Sequence, residues 1–410
     1  MSETAPHVVI VGAGHAGGTA AALLRQYGFA GHVTLVGEEP IPPYQRPPLS
    51  KAWLKGEADA DALTLKPESF YAEHDIDLRM GVCVTAIDRA ARTVTLDDGR
   101  SVAYDIMIIA TGARARTLPI PGADLDGVLS LRSAANAEAL KAALGPGKRM
   151  AVIGGGYIGL EAAASGRALG AEVVVLEREA NILARVAKEP LASFFADYHR
   201  AHGVTFEVNA QVEAFVGEAG HVAGVRLGDG RTIPCDIALV GVGLVRNDDL
   251  AKAAGLDCNN GVIVDETART SDPNIFAIGD VTHRPMPHYG GRMTGLESVA
   301  NALEQAKQAA SFIAGRPAPP PEVTWNWSDQ YDLKLQMAGA AFDVDSTLVR
   351  GDPKSAKFAV FHLNGDVIQA VEAVNAPAEF MAGRQLIASR KPISREKLAD
   401  PSISMKEVAA

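Results

Sequence analysis

An α/β fold made of two copies of one strand–turn–helix–strand unit, closed by a small α+β module, is predicted by three observations. An apolar run leading into a glycine-rich turn occurs twice, once at residue 12 and again at residue 154. Each copy ends some twenty residues later in a glutamate at the tip of a second apolar run. After the proline-rich stretch from Arg316 to Pro321 the pattern changes to short alternating runs with no such turn.

In the first copy, His7 to Val11 reads as a buried strand and Gly12-Ala13-Gly14-His15-Ala16-Gly17 follows at once. The alanine-rich stretch from Thr19 to Gln26 is helical in composition, and Val33 to Val36 is the next strand, delivering Glu38. The second copy runs from Met150 to Ile153 and through Gly154-Gly155-Gly156-Tyr157-Ile158-Gly159. A helix reaching Leu169 follows, and the strand Val173 to Leu176 ends at Glu177. In such a turn the first glycine permits the tight bend, and the second lets a pyrophosphate approach the backbone. The third lets helix and strand pack closely, while the helix start favours the negative charge. The terminal carboxylate accepts from a ribose hydroxyl. Two copies with flanking strands predict two Rossmann-like dinucleotide-binding domains. Glu177 disfavours a 2′-phosphate and so points to NADH, although Arg178 beside it works the other way.

Three further segments set the order of the cofactors. Ile106 to Ile109 is a buried strand ending in Ala110-Thr111-Gly112, and Ile237 to Gly243 plays the same part after the second copy. Thr270 to Asp280 reads as a strand ending in Gly279-Asp280. This last segment resembles one in glutathione-reductase-like flavoproteins, where its Asp meets the flavin ribityl chain. There the first nucleotide domain is interrupted by the second. The resemblance implies an FAD-binding domain over 1–114 and 246–321, an NADH-binding domain over 115–245, and a C-terminal α+β interface domain over 322–410. Within the last, Trp325 to Gly339 and Thr347 to Arg350 read as strands. Phe358 to Leu363 and Val367 to Val374 read as a hairpin, and Pro377 to Ser389 as a helix.

Nearly end to end, the sequence is similar to FAD-containing ferredoxin reductases of the putidaredoxin reductase and biphenyl dioxygenase reductase type. The resemblance is carried by RPPLSK (Arg46 to Lys51), GGGYIGLE (Gly154 to Glu161), ESVANA (Glu297 to Ala302) and WNWSDQY (Trp325 to Tyr331). It implies that Ala16, Glu38, Arg46, Lys51, Val84, Arg132, Asp280 and Val299 line FAD, with Trp327 by the isoalloxazine ring. It implies that Gly156, Ile158, Glu177, Arg185 and Gly243 line NADH, with Glu161 and Glu297 near the nicotinamide. Lys51 is then a cation beside the flavin that Glu161 can pair with; on residue type alone both are ordinary surface charges. The activity implied is NADH:ferredoxin oxidoreduction, with a [2Fe–2S] ferredoxin as partner and Lys66 and Lys307 at the docking positions. Reduction of rubredoxin or monodehydroascorbate, and a non-enzymatic redox-sensing flavoprotein, are the alternatives.

Composition narrows the field. A formal charge of −10 argues against a nucleic-acid binder. The three cysteines, Cys83, Cys235 and Cys258, form no CxxC pair, and the RPPLSK turn holds no sulfur, so no thiol relay is expected. Cys83, in the strand-like run Val82 to Val84, reads as a buried inert thiol. The ten histidines show no metal-ligand spacing. The opening MSETAPH runs directly into VVIVG, leaving no room for a signal peptide, and no apolar run reaches the length of about 18 residues that spans a membrane. A soluble cytoplasmic protein is expected.

Overall fold

The structure is a computed structural model that describes residues 5–187 and 189–409. The chain packs as two compact units. The first comprises the chain up to Gln45, Ala60–Arg114 and Arg246–Asn326; the second comprises Arg46–Asp59, Ala115–Val245 and the chain from Trp327 on.

The first unit is built on a five-stranded parallel sheet in the order Ile275–Ala277, Ile106–Ile109, His7–Val11, His32–Gly37, Ile76–Met80. Val8, Val9 and Ile10 are wholly buried, because both faces of the sheet are covered. On one face Val8 and Ile10 pack against Ala20, Ala21, Ala306 and Ala310 from the helices His15–Gln26 and Val299–Ile313. Small side chains let these helices lie close to the sheet. The alternate residues Val9 and Val11 face Val94, Leu96 and Val102 of a three-stranded antiparallel sheet. Of the stretch expected as one strand from Thr270, only Ile275–Ala277 pairs, and Gly279–Val281 forms a 3-10 turn.

The second unit repeats this plan. Its parallel sheet runs Val204–Glu207, Glu172–Leu176, Arg149–Ile153, Ile237–Val240, Val128–Leu129. Ala151, Ile153, Ala238 and Val240 on one face meet Phe215, Val225 and Leu227 of another antiparallel sheet. The C-terminal part is a five-stranded sheet in the order Trp325–Gln330, Leu333–Gly339, Val367–Val374, Lys357–Asn364, Ser346–Asp352. The hairpin turns at Asn364↔Val367, as the Asn-Gly-Asp signal predicts. The helix Pro377–Ser389 packs on this sheet through Phe380, Gly383 and Ile387. A Cβ on Gly383 would lie 2.7 Å from Val371, so only glycine admits that approach. Among the described residues no helix is long and apolar enough to cross a membrane.

Candidate functional site

The two glycine turns have the same geometry. Gly12 has φ +112° and Gly154 φ +103°, conformations that L side chains rarely adopt. Cβ atoms there would stand 2.3 Å from Ala110 O and 2.5 Å from Gly241 O. The third glycines, Gly17 and Gly159, hold each helix against its own turn; their Cβ atoms would fall 1.9 and 2.3 Å from the carbonyl oxygens of Gly12 and Gly154. The middle glycines differ. A Cβ on Gly14 or Gly156 would meet nothing within 4 Å. Each middle glycine is also the N-cap of a twelve-residue helix with no side-chain cap and no acid in its first turn. Neither middle glycine offers a side chain to cap its helix, and the first turns of His15–Gln26 and Tyr157–Ala168 lie at the positive end of a helix dipole. That arrangement fits a pyrophosphate, so the residues present suit a dinucleotide at each turn.

The two terminal acids are placed differently. Glu177 accepts from the Gly155 amide at 2.7 Å through Oε2 and from the Glu179 amide at 2.9 Å through Oε1. It therefore braces the turn as well as ending the strand, and each oxygen keeps a lone pair for a hydroxyl. Arg178 is turned to Glu179 at 2.9 Å and exposed. Glu38 instead has the Cys83 thiol as a hydrogen-bond partner. Cys83 lies just before the strand Val84–Asp88 and is only half-buried, which corrects the expectation of a buried strand cysteine: its neighbour Val84 is the first residue to pair. Burial first, then Glu38 and Asp97, push the Cys83 thiol up. Burial pushes Cys235 up to about 11 and raises Cys258 as well.

Elsewhere in the first unit, Thr111 and Asn247 tie together the segments that end at Arg114 and resume at Arg246, with Thr111 Oγ1 donating to Asn247 O at 2.8 Å and Asn247 Nδ2 to Thr111 O at 2.9 Å. Gly112 has φ +64° and Gly279 φ +80°. Gln305 Oε1 accepts from the Gly279 amide at 2.8 Å and from Thr282 Oγ1 at 2.9 Å, fixing the turn that carries Asp280. Arg246 donates to Asp280 O at 3.0 Å and meets Glu297 Oε1 at 3.3 Å. Val299 starts the helix that Ser298 caps. Lys66 lies over the Phe70 ring, and Lys307 pairs with Glu322 at 2.8 Å.

The second unit brings Lys51 and Glu161 together: Lys51 Nζ is 2.6 Å from Glu161 Oε2, the pairing foreseen above, with side chains 17% and 5% exposed. Ser50 Oγ also donates to Oε2, and Ser328 Oγ to Oε1, both at 2.6 Å. Ser165 Oγ donates to Ser50 O at 2.7 Å and fixes the RPPLSK turn to the helix that carries Glu161. Arg46 donates to Arg132 O at 2.5 Å, and the Arg132 amide donates to Asn136 at 3.2 Å. Trp327 is half-buried, Arg185 and Ile158 are exposed, and Gly243 has φ +105° with space around it. Sequence reading missed Ser50, Ser328, Arg246 and Gln305. The two serines sat inside motifs already quoted, while the others carried no local signal. Among the described residues no group of three or more His, Cys, Asp or Glu is placed to hold a metal ion.

The pyridine nucleotide-disulphide oxidoreductase family matches residues 6–306, and the reductase C-terminal family matches 325–409. The chain is 52% identical over 402 residues to a probable ferredoxin reductase of Castellaniella defragrans, covering 98% of each. It is 40% identical over 409 residues to the putidaredoxin reductase of Pseudomonas putida, covering 98% of this chain and 97% of that one. It also superposes on the reductase in a crystal structure of the covalent putidaredoxin reductase–putidaredoxin complex. The TM-score is 0.96 at 39% identity, over 99% of this chain and 98% of the other.

Proposed function

Because the chain belongs to the pyridine nucleotide-disulphide oxidoreductase family and carries a reductase C-terminal domain, we propose that it is an NADH:ferredoxin reductase. In this reading it passes electrons from NADH through FAD, singly, to a [2Fe–2S] ferredoxin serving a cytochrome P450 or Rieske oxygenase. The observation that carries the reading is the duplicated glycine turn, at positive φ in its first glycine and open at its second. Bound FAD supplies hydride acceptance and single-electron release. The first turn, with Glu38 and the Gly279-Asp280 corner, is assigned to FAD; the second turn, with Glu177, is assigned to NADH. The domain limits follow: 1–114 with 246–321 for FAD, 115–245 for NADH, 322–410 for the partner.

The chain's own residues do three things. The glycine-capped helix starts bind pyrophosphate, and the glutamates orient ribose. Lys51, held by Glu161 and Ser50, is assigned the role of the flavin's cation, with Arg46, Arg132 and Trp327 assigned as further flavin residues and Glu297 to the nicotinamide. No thiol takes part, since burial keeps all three cysteines protonated at neutral pH. Lys66 and Lys307 are the candidate cations for an acidic ferredoxin, and the compartment is cytoplasmic. The test is cytochrome c reduction by NADH with the purified yellow protein, with and without a [2Fe–2S] ferredoxin and with rubredoxin as control. Strong stimulation by the ferredoxin alone is expected; no stimulation would overturn the reading.

A further inference from the structure

The Glu161 carboxylate ends a longer chain of side chains, all within the second unit. Ser328 Oγ, the donor to Glu161 Oε1, lies 3.0 Å from Gln330 Nε2. Gln330 Oε1 lies 2.7 Å from His199 Nε2, and His199 Nδ1 lies 3.1 Å from the Tyr331 hydroxyl. Ser328, Gln330 and His199 are 0, 1 and 0% exposed, so water does not compete at these links.

Donor and acceptor chemistry allows one direction. An ionised carboxylate only accepts, so the single Ser328 proton goes to Glu161. The serine oxygen must then accept, which puts the amide NH2 of Gln330 toward it and the amide oxygen toward His199. A flipped amide would set two acceptors against one serine proton. His199 therefore carries its proton on Nε2, and Nδ1 accepts from Tyr331. Every donor along the chain points toward Glu161, while Lys51 and Ser50 supply two more on the other oxygen. An amide does not relay protons, so Gln330 makes this an electrostatic device and not a proton path.

We propose that Ser328, Gln330, His199 and Tyr331 are positioning residues that hold Glu161 as a fixed anion and, through it, hold the Lys51 ammonium in register for flavin reduction. The proposal rests on the function proposed above. The chain needs a neutral imidazole, and burial lowers His199 to about 4 against the opposing pull of its hydrogen bond to Gln330, with His202 adding to the lowering. No charged group packed around it is turned toward the imidazole. His202 stacks on Tyr331, the Arg167 guanidinium is bonded to the His202 carbonyl, and Asp332 takes the Tyr198 hydroxyl.

The test uses the full-length FAD-loaded protein. Nitrogen NMR of its histidines reads tautomer and charge without any turnover, and His199 is expected to stay neutral with the proton on Nε2 from about pH 5 to 8. Stopped-flow reduction by NADH reads the rest. Ser328→Ala is expected to keep its FAD and an NADH half-saturation within about twofold while the limiting rate falls about tenfold. Ser328→Thr, which keeps the hydroxyl, restores most of the rate. Gln330→Glu sets a carboxylate against Nε2–H, makes His199 titrate above about pH 6, and adds that titration to the reduction rate. An Nδ1–H tautomer, an unchanged rate and pH profile in Ser328→Ala, or failure of Ser328→Thr to rescue would each overturn the proposal. Should Ser328→Ala not retain FAD, the histidine spectra of wild type and Gln330→Glu decide. A wild-type protein that NADH does not reduce would count against the function, while the histidine spectra would still decide the chain.

Discussion

Replacing Gly156 by alanine separates a glycine needed by a ligand from one needed by the fold. Gly156 has φ −81° and ψ 177°, an extended conformation any residue adopts, and its Cβ would meet nothing within 4 Å. The folded protein should accept the methyl group with little change in melting temperature. A pyrophosphate at the helix start would not, because the methyl occupies its line of approach. Backing away costs at least one charge-assisted hydrogen bond, about 1.5–3 kcal/mol. At 1.4 kcal/mol per decade this is roughly a 10- to 150-fold rise in the NADH concentration for half-maximal flavin reduction. The assay is stopped-flow flavin bleaching against NADH, with FAD content read from the visible absorbance. Gly159→Ala is the contrast: its Cβ would sit 2.3 Å from Gly154 O, so it should cost about 1–3 kcal/mol or more in stability. Wild-type saturation of Gly156→Ala, or loss of FAD in place of NADH affinity, would refute the assignment of the second turn.

Other outcomes follow from the same structure. Glu177→Ala should raise the Michaelis constant for NADH about 10- to 100-fold with FAD retained, and an unchanged constant would remove the ribose role. Iodoacetamide at neutral pH should leave ferredoxin reduction intact, since burial raises all three thiols; inactivation protected by FAD would refute a thiol-free route. His199 is lowered to about 4 in the folded protein, against about 6.5 when unfolded. Its contribution is therefore full above pH 6.5 and lost as pH falls toward 4, by up to about 3 kcal/mol. His199→Gln keeps a donor and an acceptor and should show a shallower loss of urea resistance between those pH values. Parallel curves would place the acid sensitivity elsewhere.

What was legible in the sequence was local. A tight turn needs glycine where φ is positive, so Gly12 and Gly154 announce themselves, and the strand–turn–helix pattern around them fixes two sheets. The hairpin about Gly365 and the helix Pro377–Ser389 were legible for the same reason, as neighbours in sequence set them. The buried polar chain was not legible. Ser328 and Glu161 are 167 residues apart and His199 and Gln330 131, and a serine, a glutamine and a lone histidine carry no periodicity that pairs them. Lys307 shows the converse. Its position suggested a cation for docking, whereas the fold also supplies it with Glu322, fifteen residues on.

The interruption of the first sheet sets an order of assembly. Strand Ile275–Ala277 must pair with Ile106–Ile109, yet every strand of the second sheet is encoded between them, from Val128 to Val240. On the ribosome, the nucleotide fold begun first is thus completed last, after its younger copy has emerged whole. A nascent chain stalled so that Val245 has cleared the ribosome but Ile275 has not would show protected amides in Arg149–Ile153 while Ile106–Ile109 still lacks its neighbour on one side.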